Sequence, residues 1–314
     1  MRRYSISLAF ALFAAPAWAF PVTVDNCGTP LTFESAPKRA VIQDLNMTEM
    51  AFALGLQPSI VGLTGITGWY KVGPEFAAQQ GSIPELAPKY PTIENLVAVQ
   101  PDFFFAGWYY GMKPGGDVTP DTLAPYGIKT LVLTESCVHL QKDRPAASLD
   151  LLFGDMEKLG KIFGKEHEAE ALIAKWKNEL ETIKDKAPAG ETRVFLYDSG
   201  EDKPFTAGKF AIPTAMIEAA GGRNIMADLE TSWGTTDWET VATRNPEFLI
   251  LLDYQDDAGY RKLLDFLKAH PAMKETDAVR NERFVALRYA ELTPGPANIE
   301  GIRKIAKAMH PEAF

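Results

Sequence analysis

Histidine and cysteine are both scarce in this 314-residue chain, at four and two. His139, His167, His270 and His310 are scattered, and no His-x-x-x-His or Cys-x-x-Cys pair occurs. The chain therefore lacks the clustered ligands that a carrier of bare zinc or manganese requires. It also lacks a Gly-x-x-x-x-Gly-Lys-Ser/Thr phosphate loop and a Gly-x-Ser-x-Gly nucleophile elbow. Basic charge is in deficit: 32 Lys and Arg against 41 Asp and Glu leave a net charge of −9. That balance argues against a nucleic-acid partner, whose phosphates need clustered cations. It says little about a small ligand, because a local patch can oppose the net charge. Carboxylates are plentiful, yet no pair stands out as an acid/base couple, so catalysis has no visible machinery. Beyond the N-terminus no segment approaches 18 uninterrupted apolar residues, the minimum for a membrane-spanning helix.

The N-terminus carries the strongest positive signal. Arg2 and Arg3 precede a largely apolar stretch from Ile6 to Ala15, Pro16 breaks it, and Ala17-Trp18-Ala19 supplies a small-x-small cleavage pattern. Residues 1–19 thus read as a secretory signal peptide, too short to span a bilayer as a helix, and the mature protein is expected outside the cytoplasm. Cys27 follows Asp25-Asn26, eight residues past the cut, which is no lipoprotein context. In an oxidising compartment the even pair Cys27 and Cys137 reads as a disulfide; the alternative is two separate buried thiols. A bridge would close a loop of about 110 residues, for which chain entropy gives roughly 4–5 kcal/mol.

Along the chain an α/β rhythm is legible. After an extended lead-in around Val22-Thr23-Val24, short apolar strands are expected at 39–42, 59–63, 102–106 and 128–133. Helical patterns fall between them at 48–54 and 92–99, with a turn at 122–126. Strand–helix alternation of this kind argues for a mainly parallel sheet. From 146 to 186 the pattern changes to helical spacing in a Lys-, Glu- and Ala-rich run, roughly 60 Å long if unbroken at ~1.5 Å per residue. Gly160 and Gly164 are its weak points, and Pro188 with Gly190 ends it. Strands at 193–197, 247–252 and 283–287 and helices at 213–220, 238–243, 260–269 and 298–309 then repeat the rhythm. The expected fold is two Rossmann-like α/β lobes, 20–145 and 188–314, joined by a long rigid helix over 146–187, with a ligand cleft between them.

Aromatic residues mark where that cleft should lie. Ligands of open parallel sheets bind beyond the carboxyl ends of strands. Trp69-Tyr70 and Trp108-Tyr109-Tyr110 follow strands of the first half, and Tyr254 and Arg288-Tyr289 follow strands of the second. Phe205 and Trp233 lie in loops of the second half, and His139 lies near the end of the first. Two lobes facing each other with aromatic rims make an apolar cleft with a few charged anchors, suited to a large planar or chelate ligand. The competing reading of each aromatic is packing within its own lobe.

Several segments bear a resemblance. They are Leu45-Asn46-Met47-Thr48-Glu49-Met50-Ala51-Phe52-Ala53-Leu54-Gly55, Pro91-Thr92-Ile93-Glu94-Asn95-Leu96, Gln100-Pro101-Asp102-Phe103, Pro204-Phe205-Thr206-Ala207-Gly208-Lys209 and Met216-Ile217-Glu218-Ala219-Ala220-Gly221-Gly222-Arg223-Asn224-Ile225. In that order they resemble the periplasmic substrate-binding proteins of ABC transporters for ferric siderophores and vitamin B12. The resemblance covers nearly the whole mature chain and implies two lobes on one connecting helix. It also implies a binding protein rather than an enzyme, monomeric and periplasmic, with no cofactor of its own. Its ligand would be an iron-siderophore or similar metal chelate, delivered to an ABC permease in the inner membrane. Cobalamin or haem is the alternative ligand, and an exported enzyme working in the cleft is the competing class. The resemblance places Glu94 and Glu218 where one glutamate on each lobe pairs with permease arginines. Lys209 and Arg288, with Arg144 behind them, are its cationic candidates against an anionic chelate.

Overall fold

The computed structural model describes residues 20–68, 72–141, 144, 146–187, 192–254 and 258–314. The proposed signal peptide and the pair Trp69-Tyr70 lie outside the described residues. A hairpin of β1 (Val22–Asn26) and β2 (Thr29–Phe33) leads in. Cys27, in its turn, is disulfide-bonded to Cys137, closing a sequence separation of 110 residues.

The first lobe is built on a parallel sheet of β3 (Ala40–Gln43), β4 (Ile60–Thr64), β5 (Glu85–Ala87), β6 (Phe103–Trp108), β7 (Gly111–Met112) and β8 (Lys129–Val132). Strand β3 is central, with β4 then β5 to one side and β6 to the other, where β6 pairs with both β7 and β8. Strands covered on both faces need apolar residues at every position, and Phe103, Phe104 and Phe105 are all fully buried. Side chains alternate across a sheet, so Phe103 and Phe105 join one core cluster while Phe104, Ala106 and Trp108 join the opposite one. Helices α1 (Leu45–Ala53), α2 (Pro74–Gln80), α3 (Ile93–Ala98) and α4 (Pro120–Leu123) fill the crossovers. Thr92 and Thr119 cap α3 and α4 with capping boxes, each satisfying first-turn N–H groups.

The expected long helix is divided. Helix α5 (Asp150–Phe163) ends at Gly164, whose φ of 65° places it in the left-handed region, and α6 (Glu166–Lys186) then runs 21 residues. Glycine adopts that backbone without a Cβ penalty, which is why it terminates helices so often. Helix α5 packs on the first lobe, and α6 makes the crossing. Ala169, Ile173 and Trp176 belong to the first lobe's core, while Ile183, two to three turns on, belongs to the second's.

The second lobe contains β9 (Thr192–Tyr197), β10 (Phe205–Ala207), α7 (Ile212–Ala219), β11 (Gly222–Asn224), β12 (Trp233–Thr235), α8 (Trp238–Arg244), β13 (Phe248–Asp253), α9 (Tyr260–Ala269), α10 (Asp277–Arg280), β14 (Phe284–Arg288), α11 (Tyr289–Leu292) and α12 (Asn298–Met309). Its parallel sheet has the order β11-β9-β13-β14. Alternation again divides the core: Val194, Leu196 and Ile250 pack beneath α7 and α12, and Phe195, Tyr197 and Leu251 beneath α8 and α9. The antiparallel ribbon β10–β12 stands apart from this sheet and carries Phe205 and Trp233.

Candidate ligand cleft

Both parallel sheets send the chain out of their carboxyl ends toward a shared cavity of about 530 Å³. From the first lobe it is lined by Tyr109, Tyr110 and His139; from the second by Phe205, Trp233, Tyr254 and Tyr289, with Asp198, Thr231, Ser232, Leu252, Leu292 and Thr293 between them. The aromatics are mutually supported. Phe205 stacks on Trp233 at 6.0 Å between centroids, Tyr254 on Tyr289 at 6.3 Å, and Tyr109 meets His139 edge-on at 4.6 Å. Tyr109 is 52% exposed, unusual for a large aromatic and expected where a ligand covers it. Tyr109 also has a left-handed backbone, φ 65°, as does Asp44 at the exit of β3, φ 67°. Such conformations cost energy in non-glycine residues and gather at functional sites.

Six of the aromatic residues singled out from sequence therefore meet in one cavity. Trp108 does not. Its position on β6 puts the side chain on the Phe104 face, where it is 6% exposed within the first lobe's core. Lys209 is also absent from the wall: its ammonium pairs with Glu230 at 2.6 Å and lies over the Phe210 ring. Arg288 lines a neighbouring hollow of about 600 Å³ rather than this cavity, and its guanidinium reaches Glu291 at 3.2 Å. Arg144 donates to the Gln141 side chain and the Thr134 carbonyl.

The described wall carries one carboxyl, Asp198, and two more, Asp44 and Glu135, are bonded to tyrosines of the wall; the sequence reading missed all three. Asp198, directly after β9, is buried, accepts the Tyr254 hydroxyl at 3.0 Å, and is held above the usual carboxylate range by that burial. Asp44 accepts the Tyr289 hydroxyl at 3.1 Å while its other oxygen accepts the Leu45 N–H at the start of α1. Behind the wall, Glu135 is fully buried and pushed up to about 7, chiefly by desolvation. Desolvation also holds the His139 imidazole below its ordinary value, favouring its neutral form. A signal was available. The rule that selected the tyrosines, that strand ends face the cleft, equally selects the acids after β3, β8 and β9.

Glu49, in the neighbouring hollow, is likewise pushed up to about 7 by burial, against the attraction of Arg288. The folded state thus holds a proton on Glu49 that the unfolded chain releases near 4.5. Its contribution to stability is undiminished in acid and is lost as pH rises from about 4.5 to about 7. At ~1.4 kcal/mol per pH unit the loss is on the order of 3 kcal/mol. Thermal unfolding should therefore show Glu49→Gln more stable than the parent protein at pH 8 and nearly equal to it at pH 4, below the window. The same difference at both values would refute this assignment.

Among the described residues no group of three or more His, Cys, Asp or Glu could hold a metal ion, and no helix is long and apolar enough to cross a membrane. The family profile described as periplasmic binding protein matches residues 41–290. An uncharacterised ABC transporter substrate-binding lipoprotein of Bacillus subtilis is 24% identical over 301 residues, covering 94% of this chain and 87% of its own. A cobalamin-binding protein of Halobacterium salinarum is 24% identical over 306 residues, covering 94% and 75%. Among solved structures, an ABC-type Fe3+-hydroxamate transport system protein from Saccharomonospora viridis superposes with a TM-score of 0.77 at 23% identity, over 92% of this chain and 99% of that one.

Proposed function

We infer, from the premise that the chain belongs to the periplasmic binding protein family, that the inter-lobe cavity captures a metal chelate such as an iron-siderophore and that the protein delivers it to an ABC permease. The chain is a substrate-binding transport protein and not an enzyme. The observation that carries the ligand class is the wall itself: aromatic faces from both lobes around about 530 Å³, space for a bulky ligand with a large apolar periphery.

One observation favours cobalamin as a second reading. No lysine or arginine lines the described wall, and burial biases the acids on or behind it, Asp198 and Glu135, toward their neutral forms. Such a wall offers no counter-charge to multiply anionic ligands, including the propionates of haem, and suits a neutral or cationic chelate. Saturation titrations following intrinsic tryptophan fluorescence distinguish the candidates, with ferrioxamine B, cyanocobalamin and haemin as probes and free tryptophan as the inner-filter control. Saturable quenching by ferrioxamine B supports the first reading, and by cyanocobalamin alone the second. No saturable response to any probe would count against the metal-chelate class.

Delivery is assigned to Glu94 and Glu218. Glu94 lies in the first turn of α3 and is exposed, its carboxyl lowered by the Thr92 hydroxyl; Glu218 is an exposed residue near the end of α7. One acid on each lobe is the arrangement that sets register against a basic partner, since exposed pairs contribute more to orientation and encounter than to affinity. Charge reversal, Glu94→Lys with Glu218→Lys, should abolish transport in a reconstituted permease assay and leave ligand affinity within about twofold. Lost ligand binding would show these residues to be structural. The location proposed for this exchange is the periplasm, following export directed by residues 1–19.

A further inference from the structure

The lobes are bonded to each other through a buried acid. Glu135 lies in the 3-10 segment Thr134–His139 that follows β8 in the first lobe. Its Oε2 accepts the backbone N–H of Ile212, the first residue of α7 in the second lobe, at 2.6 Å. Its Oε1 accepts the hydroxyl of Ser232, also in the second lobe, at 3.2 Å, and that of Tyr110, in its own lobe, at 3.2 Å. Tyr110 and Ser232 both line the cavity. One carboxyl thus fixes a wall residue from each lobe and ties down the helix that carries Glu218.

We propose that Glu135 is a positioning residue that latches the two lobes across the cleft, and that the latch is closed while its carboxyl is neutral and loosens when it ionises. The direction follows from what surrounds it. No lysine or arginine pairs with Glu135 among the described residues. The acid that acts on it, Asp155 on α5, is bonded to Thr134 and paired with Lys158 at 3.2 Å. On the second-lobe side the facing groups are a backbone amide and a serine hydroxyl, and the charges next along those segments, Lys209 and Glu230, pair with each other. Tyr110 remains a neutral phenol, driven well above its ordinary value by burial and by Glu135. An ionised carboxylate here has three neutral donors and no counter-charge, so water admitted by parting the lobes stabilises it.

The neutral acid suits the closed form. Its carbonyl oxygen still accepts from Ile212, and its O–H donates to either hydroxyl, both of which can accept. Burial holds the closed-state carboxyl near 7, whereas a hydrated one ionises near 4.5. Closure therefore takes up protons in that window, and the closing constant falls by up to about tenfold per pH unit as pH rises through it. A ligand that closes the cleft is bound more tightly in acid by the same linkage. The inference rests on the cavity being the ligand site, but its test requires no ligand.

Spin labels on Asp121→Cys and Glu239→Cys, exposed residues of α4 and α8 on opposite lobes, report the inter-lobe distance by double electron–electron resonance. In the ligand-free protein the distance distribution should move to longer values between pH 5.5 and pH 8.5. Glu135→Gln, which reproduces the neutral acid's hydrogen bonding, should remain at the short distance at both values. If Glu135→Gln does not fold, Ser232→Ala replaces it and should lengthen the distance at pH 5.5 by removing one second-lobe donor. A pH response retained in Glu135→Gln, or no response in the parent labels, overturns the latch. Chelate binding can fail independently of either result.

Discussion

Replacing Trp233 with alanine should lower chelate affinity by roughly 30-fold or more while the protein remains folded. Trp233 stands on the ribbon β10–β12, outside the second lobe's main sheet, and lines the cavity with Phe205 stacked against it. Truncating a central aromatic of a desolvated site typically costs about 2 kcal/mol or more, equivalent to that factor in affinity. Trp108 is the internal control. It sits on the core face of β6, so Trp108→Ala should cost about 3–5 kcal/mol of stability, as large core truncations do. Calorimetric titration and denaturant unfolding on both variants make the check. If Trp108→Ala lost affinity and Trp233→Ala did not, the cleft would be wrongly placed.

The double substitution Cys27→Ser with Cys137→Ser should lower stability by up to about 4–5 kcal/mol, the chain-entropy figure for so long a loop. The consequence should extend to the ligand. Cys137 is buried in the 3-10 segment that also carries Glu135 and His139, and the bridge ties this segment to the lead-in hairpin. Urea unfolding should show a lower midpoint with a somewhat steeper slope, because the unfolded chain without its cross-link exposes more surface, and affinity should fall along with the midpoint. An unchanged midpoint would mean that the hairpin is held by its side-chain bonds alone, among them Asn26 to the backbone of Thr130 and Val132.

Much of this architecture was legible in the sequence because periodicity is a local property. The expected strand at 247–252 is observed as β13, and the expected helices at 260–269 and 298–309 as α9 and α12. Gly164 was visible as a weak point in the connecting segment. That it breaks the helix, leaving α6 alone to make the crossing, depends on packing that no local pattern encodes. The lining of the candidate cleft was legible in part for the same reason. Strand ends located Tyr109, Tyr110, Tyr254 and Tyr289, whereas Trp108 needed one further step. Counting alternation from the fully buried Phe104 puts it on the same face, away from the cavity.

Glu135 was hidden more deeply, since its importance lies in three donors from distant parts of the chain, the farthest 97 residues away. Lys209 misled because a cation near a cleft in sequence had its partner, Glu230, 21 residues on. Pairing is a tertiary fact, and residue type does not report it.

The central claim is that a metal chelate is held between the aromatic rims of the two lobes. Anomalous diffraction from crystals of the mature protein with ferrioxamine B or cyanocobalamin, collected at the iron or cobalt edge, tests it most directly. The account predicts one strong peak between Trp233 and Phe205 on one side and Tyr109 on the other, with Tyr254 and Tyr289 alongside. Stoichiometric binding with the metal peak elsewhere on the molecule would contradict it.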